Sequence, residues 1–303
     1  MGNRKIVIYI FVACIVSSIV LALYFFVRKP EKIIPPVVDE EKKVIVFKEV
    51  KYSGEKKGVI DWEIRAKIAR KYIDKPLIEL ETLTGKYKPK DGEVVQFKGT
   101  KGSMDTDKES GSVEDVDVLY KNEYTLKSAH MDFDFKNGTT TTKSPVNITG
   151  SKLTMRGIGL TANTHQETVK LENDVSGIIE TGKARYKFQT DTLTYNFKDD
   201  LYILQGKVIF KGEDMNLFCE KLLIFSSGQE LERAEAYEKV NIISKGTVAK
   251  SEKAVYHFKE GKIVFTNSPS VFKDNVEMKG ESIEYNTSSG NISVNKPKMR
   301  LTK

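Results

Sequence analysis

The residues most able to do chemistry in this sequence lack the spacing that catalysis or metal binding requires. His130, His165 and His257 share no metal-ligand interval. Asp132 and Asp134 alternate along a strand-like run, as solvated carboxylates do. The sequence contains no nucleophile elbow, phosphate-binding loop or dinucleotide fingerprint. We therefore predict a protein that is not an enzyme and has no metal or cofactor. An enzyme that cleaves polysaccharides with carboxylates from neighbouring strands stays open as an alternative.

Cysteine usage and charge place further bounds on function. Cys14 lies in an apolar N-terminal run and Cys219 lies far away in a strand pattern, so the two are not expected to pair. A small buried side chain is the simplest interpretation of Cys219. The formal net charge of +7 suits solubility, nucleic acid, an anionic membrane surface or an acidic ligand. Without a nucleic-acid motif, we predict no nucleic-acid partner.

An uncharged N-terminal run predicts a membrane anchor. Residues 6–27 comprise 22 positions without a charge, which is long enough to cross a bilayer as a helix. A cleaved signal peptide would have a shorter apolar core ending in small residues. A lipoprotein site at Cys14 is weaker, because the apolar run continues past it. Residues 1–29 are therefore predicted as a transmembrane anchor, and the Pro-containing, charged residues 30–43 as a linker.

A fifteen-residue cassette repeats through the rest of the chain. Its clearest copy is residues 186–200, YKFQTDTLTYNFKDD. Intervals near thirty residues are typical of repeat architectures. Between the copies, apolar and polar residues alternate with a period of two, and turn residues break the runs. The eight copies begin at residues 62, 95, 124, 153, 186, 215, 247 and 276.

The parity of the cassette changes near its fifth position. Positions 1 and 3 are apolar in nearly every copy, and position 5 is always small. Apolar residues then resume at positions 8 and 10, which belong to the other parity. A bulge or corner near position 5 keeps both runs on one face, and a small side chain suits that corner. Each cassette therefore predicts strand, corner, strand, and the stacked copies predict an elongated, two-walled β body.

The inward positions of this body are predicted to line its interior. They share an apolar side chain on the face that the corner keeps inside. These inward residues are Trp62, Ile64, Phe97, Leu126, Met131, Phe133, Leu193, Tyr195, Leu222, Ile224, Tyr256, Ile283 and Tyr285.

Position 4 of the cassette lies on the opposite parity and is basic in six of the eight copies. Outward Lys and Arg keep strands soluble and discourage edge aggregation, which is the simpler interpretation. A basic ladder that contacts acidic lipid head groups or a partner is the alternative.

The chain resembles the LptC family of lipopolysaccharide-export proteins. One anchor and a short linker precede residues 62–66, WEIRA, and that family begins its periplasmic domain with a similar W-x-h-x-A strand, where h is apolar. Later copies, such as residues 192–212 and 254–290, resemble the related LptA/OstA domain. The body is longer than a usual LptC domain. We therefore expect an LptC-like jellyroll over residues 44–180 and an LptA/OstA-like continuation over residues 181–303.

The resemblance implies an all-β, open β-jellyroll with an apolar groove, attached to the inner membrane and lying in the periplasm. It implies that the inward residues named above are the candidates that line this lipid-binding groove. It also implies that lipopolysaccharide passes through the groove from an inner-membrane ABC permease to a periplasmic LptA-like bridge. Strands near residues 44–50 would face the permease and strands near residues 276–301 would face the bridge, through edge pairing. A structural or adhesive β-solenoid with a packed core is the alternative function.

Overall fold

The computed structural model describes residues 37–39, 43–56, 59–87, 94–120, 122–182, 184–227 and 230–301. The chain divides into two units, Met1–Pro36 and Val37–Lys303. The first unit, with the predicted anchor and half of the predicted linker, lies outside the described residues. Within the residues that are described, no helix is long and apolar enough to cross a membrane.

The described residues of the second unit form 22 strands. The first ten are β1 Val37–Asp39, β2 Val44–Lys56, β3 Val59–Tyr72, β4 Leu77–Tyr87, β5 Val95–Asp105, β6 Ser110–Tyr120, β7 Tyr124–Asp134, β8 Thr139–Thr149, β9 Leu153–Asn163 and β10 Thr168–Glu180. The others follow: β11 Arg185–Thr190, β12 Thr192–Asn196, β13 Leu201–Lys211, β14 Met215–Ser227, β15 Glu230–Ser244, β16 Thr247–His257, β17 Lys262–Thr266, β18 Ser270–Lys273, β19 Val276–Lys279, β20 Ser282–Asn286, β21 Ile292–Asn295 and β22 Lys298–Leu301.

The strands form one antiparallel meander. Each strand from β1 to β10 hydrogen-bonds to the next, so the predicted linker contributes β1 to the sheet. Pairing continues without a break from β10 into β11 and β12, and then through β13, β14, β15 and β16. The predicted all-β architecture of stacked antiparallel strands is confirmed.

The meander is folded along its middle into two walls. The first wall contains cassette positions 1–5 and the second contains positions 7–11, with a corner between them. At Asp191 the corner divides one strand into β11 and β12. Beyond β16 the walls end separately, the first through β18, β19 and β22 and the second through β17, β20 and β21. We call the space between the walls the trough, and the side opposite the corner its mouth.

Register shifts locate the corner where the cassette predicts it. The β7–β8 register shifts between Ser128 and Asp132, and the β14–β15 register between Phe218 and Lys221. The strands between cassettes also contain register shifts. The β13–β14 register, for example, shifts between Gln205 and Val208 of β13. A bulge adds a residue to one strand and bends it, which returns the second apolar run to the inner face.

Four-residue turns close the second wall along the mouth, and hydrogen bonds join one turn to the next. The amide of Phe135 donates to the carbonyl of Glu109, and the amide of Phe197 donates to that of Glu167. Asp or Asn at cassette position 11 caps many of these turns; Asn196 Oδ1, for example, accepts the amides of Lys198 and Asp199. The sheet's hydrogen bonding therefore continues along this edge of the mouth.

The interior contains two groups of buried apolar side chains. The first spans β3 to β7 and includes Leu83 and Met131. The second spans β8 to β20 and includes Leu171 and Phe265. Leu126 packs against both groups. The interior is therefore apolar along the whole body, and its two packing groups meet between β7 and β8.

Candidate functional site

The corner that bends each wall is supported by the small residue at position 5. In four cassettes this residue donates a hydrogen bond to the carbonyl two residues later. The donors are Ser128 Oγ to His130 (3.2 Å), Thr190 Oγ1 to Thr192 (3.1 Å), Cys219 Sγ to Lys221 (3.3 Å) and Ser251 Oγ to Lys253 (2.9 Å). Position 5 is therefore small for steric reasons, and in these copies it also hydrogen-bonds to a backbone carbonyl at the corner.

Left-handed residues form the corner on the strands between cassettes. Asp115 in β6, Asp174 in β10 and Lys207 in β13 have φ values of 52°, 50° and 46°. Non-glycine residues adopt this region uncommonly, so each such position marks a backbone bend that the fold requires. The bend of the trough is thus built into both strands of most hairpins.

All thirteen predicted groove residues face the interior, and their exposure separates them into two sets. Eight are buried: Ile64, Phe97, Met131, Leu193, Leu222, Ile224, Ile283 and Tyr285. Five are partly exposed and pack against the buried groups: Trp62, Leu126, Phe133, Tyr195 and Tyr256. Four of these five are aromatic residues at position 1 or 10, toward the mouth. The mouth therefore presents the accessible apolar surface, while much of the trough beneath it is filled by the protein's own side chains.

Glycines opposite the aromatic residues let the rings lie flat against the wall. Gly54 pairs with Trp62 across β2 and β3, and a Cβ at Gly54 would lie 2.2 Å from Trp62 Nε1. Gly85 pairs with Phe97 in the same way, and its added Cβ would lie 2.1 Å from Phe97 Cζ. A side chain at either glycine would lift the ring away from its strand.

Tyrosines at the mouth remain uncharged. Tyr195 donates a hydrogen bond to Asp200 at 2.6 Å, and its ring stacks on Tyr202 with centroids 4.4 Å apart. Burial raises the pKa of Tyr195 and of Tyr202 above the ordinary phenol value. Burial also raises the pKa of Tyr186 to about 12. Neutral phenols give the mouth an amphipathic character, in which apolar rings carry a polar edge.

The basic residues at position 4 lie on the outer surface, as predicted, and several are paired. Lys98 and Lys127 reach the same carboxylate, Asp117, at 3.2 and 3.7 Å. Arg65 pairs with Glu63 at 2.7 Å. Such exposed pairs contribute little to stability, and they neutralise much of the charge that a ladder would offer to an acidic ligand. This arrangement supports the solubility interpretation.

His130 and Cys219, two side chains considered in the sequence analysis, lie in different surroundings. His130 lies on the outer face between Glu114 (2.8 Å) and Asp132 (3.1 Å). The hydrogen bond to Glu114, and to a smaller extent the one to Asp132, raises the pKa of the His130 imidazole. Burial raises the pKa of Cys219 to about 12, so its thiol is a poor nucleophile. In the part of the chain that the structure describes, no group of three His, Cys, Asp or Glu could hold a metal ion.

Sequence reasoning found the inward face but missed two recurring features. It treated position 5 as a matter of size, although its hydrogen-bond donors were visible as Ser128, Thr190, Cys219 and Ser251. It also missed which aromatic residues meet across the mouth, because that pairing depends on how one wall is offset along the other.

Comparison with protein families decides the relationship. The model for lipopolysaccharide-assembly, LptC-related proteins matches residues 10–180, which is more than half of the 303-residue chain. The chain belongs to the LptC-related family. A second model, LptA/(LptD N-terminal domain) LPS transport protein, matches residues 187–291. The first model describes lipopolysaccharide assembly and the second describes lipopolysaccharide transport, and this LptC-related chain is a periplasmic component of that transport.

The chain was also compared with solved structures and with curated proteins. Among solved structures, the chain is similar to LptH from Pseudomonas aeruginosa, described as the LptA homologous periplasmic component of a lipopolysaccharide transport device. The two are 14% identical with a TM-score of 0.37, and the match covers 39% of this chain and 95% of LptH. No curated protein matches the LptC-related chain.

Proposed function

We propose that this protein binds the acyl chains of lipopolysaccharide in the trough and passes the lipid from an inner-membrane ABC permease to a periplasmic LptA-like bridge. Residues 6–27 would anchor it in the inner membrane as a single span, with the body in the periplasm. An LptC-like part over residues 44–180 and an LptA/OstA-like part over residues 181–303 would form the route. The two family matches, over residues 10–180 and 187–291, support this division.

One observation carries the proposal. The interior is apolar along the whole body, and aromatic residues at the mouth remain partly exposed on both walls. Trp62 lies on the first wall, and Phe133, Tyr195 and Tyr256 lie on the second. Each buried methylene contributes about 0.8 kcal/mol, so a continuous apolar path can hold several acyl chains without any catalytic group.

The ends of the meander supply the proposed docking edges. Among the described strands, β1 pairs only with β2, while β21 and β22 pair only with β20 and β19. An unpaired edge can accept a further strand from a partner. We propose that the β1–β2 end meets the permease and the β21 and β22 end meets the bridge.

Photo-crosslinking in cells tests lipid binding. A photo-reactive residue at Phe133, Tyr195 or Tyr256 of the full chain is expected to capture lipopolysaccharide. The matched control is Asp132, which neighbours Phe133 and is exposed on the outer face. Adducts at Asp132 but at none of the three aromatic positions would reject the trough as the lipid site.

The packed part of the interior favours a structural or adhesive solenoid as the second candidate. Leu193, Leu222 and Ile263 have no exposed surface, as expected for a dry core. The same experiment separates the candidates, because a structural solenoid would yield no lipid adduct at any inward position. Crosslinkers at the buried Ile224 and Tyr285 extend the test, since adducts there require the trough to open.

A further inference from the structure

Aromatic residues at the mouth recur in every second cassette. Position 1 is aromatic at residues 62, 124 and 186, a uniform interval of 62 residues. From the second cassette onward, position 12 alternates between a hydroxyl residue and Phe. The series is Thr106, Phe135, Thr164, Phe197, Ser226, Phe258 and Thr287. A single-cassette repeat would not produce this alternation, so the mouth has a period of two cassettes.

The two residue types at position 12 make different contacts. The hydroxyl residues fasten neighbouring turns: Thr164 Oγ1 donates to Gly138 O at 3.1 Å, and Thr287 Oγ1 donates to Gly261 O at 2.9 Å. The phenylalanines contact rings of the opposite wall instead. Cassettes with a hydroxyl residue at position 12 therefore stabilise the turns, and cassettes with Phe at position 12 contact the opposite wall across the mouth.

Among the described residues, three position 12 phenylalanines meet rings of the first wall across the mouth, and Phe133 at position 10 also stacks on Phe97 of the first wall at 5.5 Å. Trp62 stacks on Phe135 with centroids 5.6 Å apart. Tyr120, the partner of Tyr124 in the β6–β7 pair, meets Phe197 at 5.4 Å. The third contact joins the rings of Tyr186 and Phe258 at 5.7 Å. We call these three pairs the aromatic clasps.

Each clasp joins a first-wall strand to a second-wall position two cassettes further along the chain. The phenylalanine in each clasp also contacts the position 10 ring of its own cassette, at 6.2 Å for Phe133, 4.6 Å for Tyr195 and 4.4 Å for Tyr256. Two cassettes comprise four strands, so successive clasps are about 19 Å apart along the body. The C-terminal end of the mouth is closed differently, by a hydrogen bond between Ser244 Oγ and Tyr285 Oη at 3.1 Å.

We infer that the aromatic clasps are the closure of the trough and that acyl chains enter by parting them. This inference rests on the proposed function. The backbone ladders run along the walls and around the corner, so the walls can separate at a clasp while the ladders stay intact. Acyl chains between the rings replace one apolar contact with another, so that opening does not expose the interior to water.

The strength of a clasp suits such a gate. An aromatic pair contributes about 0.5–1.5 kcal/mol beyond its buried area. Since about 1.4 kcal/mol corresponds to a tenfold change, losing one pair shifts an opening equilibrium by roughly two- to twelvefold. The rings are partly exposed and uncharged, so parting them leaves no buried charge unpaired.

The chain carries a reporter of the first clasp, because Trp62 is its single tryptophan. We would place the full chain in lipid nanodiscs and add lipid A with brominated acyl chains, since bromine quenches tryptophan on contact. Quenching of Trp62 at saturation is expected, with half-saturation about two- to twelvefold lower for Phe135→Leu. Phe258→Leu, two clasps away, is the matched control and should leave the Trp62 titration unchanged.

Retention of radiolabelled lipid A above that of protein-free nanodiscs, measured in parallel, separates the inference from the proposed function. Lipid that is retained while Trp62 stays unquenched would overturn the inference that acyl chains enter through the clasps, and it would leave the proposed function standing. If no lipid is retained, the proposed function fails and the inference fails with it. Quenching that is unchanged by Phe135→Leu would show that the clasp does not limit entry. Should Phe135→Leu not fold, the wild-type quenching result decides by itself.

Discussion

Replacing Thr190 with valine tests whether position 5 holds the corner through its hydrogen bond. Thr190 is 5% exposed, and its hydroxyl lies within hydrogen-bond distance of three carbonyls: Gln205 at 3.0 Å, and Thr192 and Gly206 each at 3.1 Å. Valine has nearly the same shape, so Thr190→Val removes the donor without opening a cavity. The substitution therefore isolates the hydrogen bond from the packing.

The expected loss of stability depends on which hydrogen bonds the three carbonyls retain in Thr190→Val. The carbonyl of Gly206 keeps the amide of Asp191 at 2.9 Å, so it is not left without a partner. A buried group left fully unsatisfied costs about 1–3 kcal/mol, and a typical net hydrogen bond contributes about 1 kcal/mol. We expect Thr190→Val to lower the free energy of unfolding by about 1–2 kcal/mol. Urea unfolding of the full chain in detergent, followed by circular dichroism, measures this difference.

Thr190→Ser provides the matched comparison, because it keeps the donor and loses one methyl group. It should retain most of the stability that Thr190→Val loses. Equal losses for the two variants, or none for Thr190→Val, would refute the role of the hydroxyl and leave size as the only requirement at position 5.

Three further predictions concern residues away from the mouth. The carboxylates beside His130 raise its pKa above 6.5, so the stability it contributes is present below about pH 6.5 and is lost as pH rises through the folded pKa; melting curves should show this loss, and His130→Gln should abolish it. Burial raises the pKa of Cys219 to about 12, so in a Cys14→Ser background iodoacetamide at pH 8 should label only unfolded protein; labelling of native protein as fast as denatured protein would contradict its burial. Lys98→Ala and Lys127→Ala should each change the unfolding free energy by less than about 0.5 kcal/mol, because exposed pairs contribute little; larger losses in urea titrations would indicate a structural ladder.

Much of the fold was predictable because it depends on local pattern. A period of two and a parity change near position 5 are properties of neighbouring residues, and they correctly predict strands that bend inward at Ser128 and Cys219. The inward orientation of residues such as Phe97 and Leu222 follows from the same parity. The strand β1, within the predicted linker, was missed because three residues are too few to show a periodicity.

Which inward residues remain accessible could not be read from parity. Leu193 and Tyr195 share a face of one strand, yet Leu193 is fully buried and Tyr195 is partly exposed. Position in the cassette does not decide exposure either, because Ile224 and Tyr285 occupy the same position as Tyr195 and are buried. Exposure depends on which side chains of the opposite wall pack against each residue, and local alternation does not specify those contacts.

By itself, the sequence determined that the chain is a repeated, bent β sheet with an apolar inside and a polar outside, because each of these depends on residues close together in the chain. Only the tertiary structure decided which side chains of the two walls meet across the mouth. Trp62 lies opposite Phe135 because the walls are offset by two cassettes. That offset accumulates from the bend and pairing of several strands, and no single cassette encodes it.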